Sequence, residues 1–123
     1  MENKILICED DEVLSSMIKF KLGKDKLGEI MKVNNGKEAK EAIEKNDFSL
    51  IISDIHMPFI SGMQLLEHVR EYQKKDTAFI ILSAEGLEST VLEAFDMGVT
   101  DFLTKPFSPG ELSMRVKRLL SAA

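Results

Sequence analysis

"SLIISDIHMPFISG", residues 49–62, decides the fold. Leu50, Ile51 and Ile52 form an apolar run that leads through Ser53 into Asp54, with a Met-Pro turn close behind. A short, Ile-rich run bounded by turn residues is the pattern of a strand buried on both faces of a parallel sheet. An aspartate directly after so apolar a run is either an acidic turn residue or the group that the strand exists to present.

Four more runs of the same kind lie around it: "KILIC" (4–8), "EIMKV" (29–33), "FIILS" (79–83) and "DFLT" (101–104), with "SLIIS" (49–53) the middle one in chain order. Amphipathic stretches alternate with them. Val13, Met17, Ile18 and Phe20 suit a first helix, and Ala39, Ala42 and Ile43 mark a short second one. Leu65, Leu66 and Val69 suit a third, Leu87, Val91, Ala94 and Phe95 a fourth, and Leu112, Val116, Leu119 and Leu120 a fifth. "NGKE" (35–38), "SGMQ" (61–64) and "SPGE" (108–111) each set a capping side chain three residues before Glu or Gln. Pro109 stands where a helix needs no N–H, whereas the fourth helix, beginning near Gly86, has no comparable cap. Five strands alternating with five helices predict an α/β, flavodoxin-like, doubly wound sandwich, (βα)5, on a parallel sheet of order 2-1-3-4-5.

Bulk properties agree. The 123 residues suit one domain over residues 1–123, and 44% hydrophobic with 30% charged residues is a globular composition. No apolar run is long enough to span a bilayer, and "MENKILIC" has no signal-peptide shape. A net charge of −5 argues against direct nucleic-acid binding by this domain. The lone Cys8 excludes an internal disulfide, reads as a small core residue, and suits a reducing, cytoplasmic setting.

The expected topology carries Glu9, Asp10, Asp54, Ser83 and Lys105 to the carboxyl ends of strands, the edge where open α/β sheets bind ligands. Each has a plainer reading: Asp10 and Asp11 as helix starters, Asp54 and Ser83 as turn residues, Lys105 as a solvated amine. Their joint placement favours a site. Three carboxylates without His or Cys pairs suit Mg²⁺, or Mn²⁺, and Lys105 and Ser83 add donors for a phosphoryl group. That is equipment for phosphoryl transfer, with Asp54 the natural nucleophile of an aspartyl phosphate.

These residues, in "ILICEDDE" (5–12), "LIISDIHMPFISGMQLL" (50–66), "FIILSAEG" (79–86) and "DMGVTDFLTKPFSPGEL" (96–112), resemble the receiver domain of two-component response regulators over essentially the whole chain. The resemblance implies that Asp54 accepts a phosphoryl group from a sensor histidine kinase or a histidine phosphotransfer protein. It implies that Asp10, Asp54 and the backbone oxygen of His56 ligate Mg²⁺, with Glu9 acting through a metal-bound water and Asp11 starting the helix. By the same resemblance, Ser83, Lys105 and the backbone N–H of Ala84 are expected to contact the phosphoryl oxygens, and Lys105–Pro106 to be a cis peptide. His56 and Glu85 occupy positions that tune dephosphorylation. His68 reads as ordinary surface. The resemblance also implies that Ser83 and Phe102 form a switch pair, although Phe102 as plain core is an equal alternative.

A metal-dependent phosphohydrolase with an aspartyl nucleophile is the rival reading. Haloacid-dehalogenase-like enzymes of that kind need a second Asp two residues on, where this chain has His56. A degenerate receiver that only binds partners is a third reading, opposed by the complete acidic set. The chain is thus not read as a conventional enzyme, beyond catalysing its own phosphorylation and dephosphorylation. Its closing stretch is similar to receivers of winged-helix transcription factors, which implies transcriptional output. It also implies a homodimer on phosphorylation through Asp101, Glu111, Arg115 and Arg118, although exposed helical charges are more often solvated. Val91 stands where such receivers commonly carry a basic residue. Nothing after the fifth helix reads as an output domain, so the chain is either a stand-alone receiver or the front end of a longer regulator acting on an output domain or effector protein.

Overall fold

The computed structural model describes residues 2–121. Strands β1 (Lys4–Cys8), β2 (Glu29–Val33), β3 (Leu50–Asp54), β4 (Ala78–Ser83) and β5 (Asp101–Thr104) form one sheet in the order β2-β1-β3-β4-β5. All four pairings are parallel. Helices α1 (Glu12–Lys24), α2 (Gly36–Lys45), α3 (Gly62–Glu67), α4 (Glu88–Asp96) and α5 (Pro109–Ser121) connect and follow the strands. The expected order and the five strands hold, with β3 shifted by one residue at both ends and β4 beginning one residue earlier.

Alternation along the strands divides the core into two layers. Leu6, Cys8, Ile51, Phe79 and Ile81 face α2, α3 and α4 through Ala39, Ile43, Leu65, Leu66 and Ala94. Ile5, Ile7, Leu50, Ile52, Ile80 and Leu82 face α1 and α5 through Ile18, Leu22, Leu112 and Val116. Burial on both faces holds for the central strands and fails at both edges: in β2 Glu29 is exposed and the other residues are half-buried, and in β5 only Leu103 is buried and Thr104 is exposed.

All three capping signals form. Asn35 Oδ1 accepts from Glu38 N at 2.9 Å, Ser108 Oγ accepts from Glu111 N at 3.0 Å, and Ser61 with Gln64 makes the reciprocal box. Asp11 starts α1, accepting from the N–H groups of Val13 and Leu14. Two helices present a different face from the one expected. On α1 the buried residues are Ser15, Ile18 and Leu22, while Val13, Met17 and Phe20 are exposed. Ser15 sits in the inward stripe because its hydroxyl is satisfied by the Glu12 carbonyl (3.3 Å), so a polar residue interrupts the pattern that hydrophobicity alone would trace. On α4 only Ala94 is buried, whereas Leu87 and Phe95 are exposed.

The third helical pattern is divided. After Glu67 the chain widens into a π-helical turn, His68–Tyr72, that no periodicity announced. Arg70 leaves this turn to donate to the Gly98 carbonyl (2.9 Å) and the Lys75 carbonyl (3.0 Å). His68 is not ordinary surface: its side chain is largely covered, stacks on Tyr72 and lies 3.7 Å from Glu44.

Candidate functional site

Register places the polar residues. Cys8 pairs with Ser53, so Glu9, the residue after β1, and Asp54, the last residue of β3, stand at one level on adjacent strands. Ser83 pairs with Thr104, and Lys105 N donates to the Ser83 carbonyl at 2.7 Å, which brings the lysine onto the same edge. Lys105–Pro106 is cis.

One carboxylate oxygen from each of Glu9, Asp10 and Asp54 lies within 4.8 Å of the others. Lys105 Nζ bridges two of them, donating to Glu9 Oε1 at 2.8 Å and Asp54 Oδ2 at 3.1 Å. Glu9 is 1% exposed, Asp54 9% exposed, and Asp10 lies in the open. Both Glu9 oxygens are engaged, since Oε2 accepts from Asp11 N at 3.2 Å. Among the described residues no hydrogen bond or ion pair engages the Asp10 carboxylate or Asp54 Oδ1.

Burial pushes the Glu9 carboxyl above its ordinary value, against the opposing hydrogen bonds from Lys105 and Asp11 N. Burial lowers the Lys105 ammonium, but the hydrogen bond to Glu9 and the charges of Asp54 and Glu9 outweigh it and hold the group above its usual range. Three carboxylates against one ammonium leave two negative charges, and the free oxygens belong to Asp10 and Asp54. The donor set is all oxygen and matches a hard divalent cation.

The remaining predicted residues fall around this cluster. His56, Ala84 and Glu85 are exposed on the loops leaving β3 and β4. The Ser83 hydroxyl is buried and turned onto its own loop: it donates to the Glu85 carbonyl (2.9 Å) and accepts from Glu85 N (3.0 Å). Phe102 is half-buried against the layer that holds α2, α3 and α4. Asp101 and Arg115 pair within the chain, Nη1 reaching both Asp101 oxygens at 3.0 and 2.9 Å, and Nη2 lies 3.4 Å from Glu111. Arg118 is exposed.

Sequence reasoning missed a contact that shapes the loop after Asp54. Gly36, read only as part of a helix start, donates its N–H to the Pro58 carbonyl at 3.0 Å. A Cβ at Gly36 would collide with the Ile60 backbone, and one at Gly62 with the Asp54 carbonyl. The helix-start and Met-Pro signals were visible, but nothing in either segment names the other as its neighbour.

Residues 5–117 match the family model described as the response regulator receiver domain. The chain belongs to that family. Among its relatives is the transcriptional regulatory protein SrrA of Staphylococcus aureus, 38% identical over 120 residues. That match covers 98% of this chain and 48% of SrrA, so the chain spans about half the length of that relative. The receiver domain of the Francisella response regulator 1452 superposes with a TM-score of 0.89 at 35% identity, covering 96% of each chain. The non-phosphorylated HemR receiver domain of Leptospira biflexa gives 0.91 at 30% identity, covering 99% of this chain and 97% of its own. Receivers of this family bind Mg²⁺ in an acidic pocket and work with a histidine kinase and an output domain.

Proposed function

We propose that residues 1–123 form one receiver domain in which Asp54 is the phosphoacceptor for a phosphohistidine-bearing kinase or phosphotransfer protein. The observation that carries this reading is Lys105 Nζ held between Glu9 and Asp54 at the mouth of an acidic cluster. An Asp54 oxygen attacks phosphorus, the O–P bond forms, and the N–P bond breaks. The imidazole nitrogen leaves with the electron pair and takes up a proton. Lys105, already charged and positioned, meets the phosphoryl oxygens as they shift toward Asp54, so little reorganisation is needed during transfer.

Asp10 and Asp54, which offer the oxygens that the protein leaves free, would hold a divalent cation together with the His56 carbonyl, while Glu9, its own oxygens taken, would act through water. When bound, Mg²⁺ (or Mn²⁺) supplies positive charge that offsets the carboxylates and the incoming phosphoryl group. The N–H of Ala84 and the hydroxyl of Ser83 complete the contacts. To reach them Ser83 must leave Glu85, which loosens the loop leading into α4 and gives Phe102 room to turn inward. His56 and Glu85, exposed beside the pocket, set how fast water removes the group.

The setting is read as cytoplasmic; no helix among the described residues is long and apolar enough to cross a membrane. Output is read as transcriptional, through a domain or partner that senses α4, β5 and α5. The activated chain is read as pairing two-fold there, where Leu92 and Phe95 are exposed. Sedimentation with and without beryllofluoride tests the pairing, and a monomer in both refutes it.

The decisive experiment is intact-protein mass after incubation with acetyl phosphate and Mg²⁺. One labile phosphoryl group on the wild type, absent in Asp54→Asn and without metal, is the expected result. An unchanged adduct in Asp54→Asn overturns the assignment.

A further inference from the structure

Phe59 lies in the loop from β3 to α3 with φ at 73°, a left-handed backbone that a bulky side chain rarely adopts. Ile60 N donates to the Pro58 carbonyl at 2.9 Å, which closes a γ-turn of the strained, positive-φ kind around Phe59. The surroundings hold this turn in place. The same Pro58 carbonyl accepts from Gly36 N, and Gly36 abuts the Ile60 backbone. At the neck of the loop, Gly62 N donates to the Ile55 carbonyl at 3.0 Å.

The ring receives nothing from the fold in return. Phe59 is 79% exposed and joins neither core layer. A strained conformation that neighbours enforce, carrying an aromatic ring into solvent, points to use rather than to packing. The loop begins at the residue after Asp54 and is closed at its neck, so whatever seats on Phe59 is registered against that carboxylate. A small acyl phosphate needs only the pocket itself, the Asp54 carboxylate with its metal and Lys105, and gains nothing from the ring. A protein donor must be oriented so that one imidazole phosphate meets a side chain only 13% exposed.

We propose that Phe59 is a positioning residue for phosphotransfer, its ring seating the phosphohistidine-bearing protein so that the phosphoryl group meets Asp54. This rests on Asp54 being the phosphoacceptor. Loss of the ring raises the KM for the protein donor about tenfold, the effect of removing one aromatic anchor from an interface. Transfer at saturating donor changes little, and labelling by acetyl phosphate stays the same.

The probe is the purified, autophosphorylated histidine kinase that transfers fastest to the wild-type chain from a panel, with acetyl phosphate as the small donor. Phe59→Ala and Phe59→Gly both remove the ring, and glycine also accepts the positive φ, so it keeps the test open if alanine impairs folding. A raised KM in both variants, with unchanged acetyl phosphate labelling and recovery in Phe59→Tyr, supports the proposal. Wild-type kinetics with the kinase in Phe59→Gly overturn it, as does an equal fall with both donors. If the wild type itself takes no phosphoryl group from acetyl phosphate, the assignment of Asp54 fails and this inference fails with it.

Discussion

Lys105 couples stability to the site more directly than any other residue. It is the cation that neutralises Glu9, a carboxylate 1% exposed, and it also holds Asp54. Removing one partner of a buried pair leaves the other desolvated and uncompensated. Lys105→Ala is therefore expected to lower unfolding free energy by about 3 kcal/mol, measured by urea denaturation at pH 7 without divalent metal. Asp10→Asn acts oppositely: it removes an exposed charge from a crowded acidic cluster and stabilises the metal-free protein slightly. The same change removes a free ligand oxygen. Mg²⁺ at a hundred times its dissociation constant should stabilise the wild type by about 2.7 kcal/mol and Asp10→Asn far less, as thermal denaturation with and without EDTA would read.

At the scale of elements, α4 is the least anchored helix. Its N-cap is Leu87, which offers no side-chain acceptor, and Ala94 is its only buried residue. By contrast α2 has Asn35 and α3 a full capping box. The C-terminal end of α4 is better held, because Arg70 from the π-helical turn donates to the Gly98 carbonyl just beyond it. Hydrogen exchange should therefore run fastest in the first turn of α4 and slow toward Asp96. Leu87→Ser supplies the missing cap at an exposed position and should stabilise the chain by about 1 kcal/mol while slowing exchange in that turn. If the uncapped start is part of the switch, the same variant also needs more phosphorylation to populate its activated form.

For the whole molecule, α1 and α5 are joined by a polar staple on the face opposite α4. The Ser113 hydroxyl donates to Asp25, which also pairs with Lys21 at 3.3 Å. The Ser113 hydrogen bond holds the Asp25 carboxyl below its usual range against the opposing effect of burial, with Lys21 adding to the lowering. A carboxyl lowered in the folded state contributes stability above its unfolded value of about 3.9, and this is lost as pH falls through the folded value. Ser113→Ala should thus melt earlier than the wild type at pH 7, with the gap narrowing in acid below about pH 4. A gap that stays constant from neutral pH into acid would show that packing, not the carboxylate bond, carries the effect.

Strand order, helix starts and the meeting of Glu9, Asp10, Asp54, Ser83 and Lys105 at one edge were legible because local rules govern them. Apolar runs, capping boxes and right-handed crossovers are written within short windows, and parallel topology then carries each strand end to the same side. The family followed from the same motifs. Tertiary structure decided what depends on neighbours distant in sequence. It turned α1 onto Leu22 and left Val13 and Phe20 in solvent, since packing against α5 and the sheet selected the stripe. It paired Arg115 with Asp101 inside the chain, at positions where the resemblance to winged-helix receivers implied a contact with a second copy. It turned the Ser83 hydroxyl onto Glu85 and held Phe59 in a strained turn against Gly36. Sequence determined which groups reach the site, because their periodicity is local; contacts between segments determined which way each group points, because only the assembled fold brings those segments together.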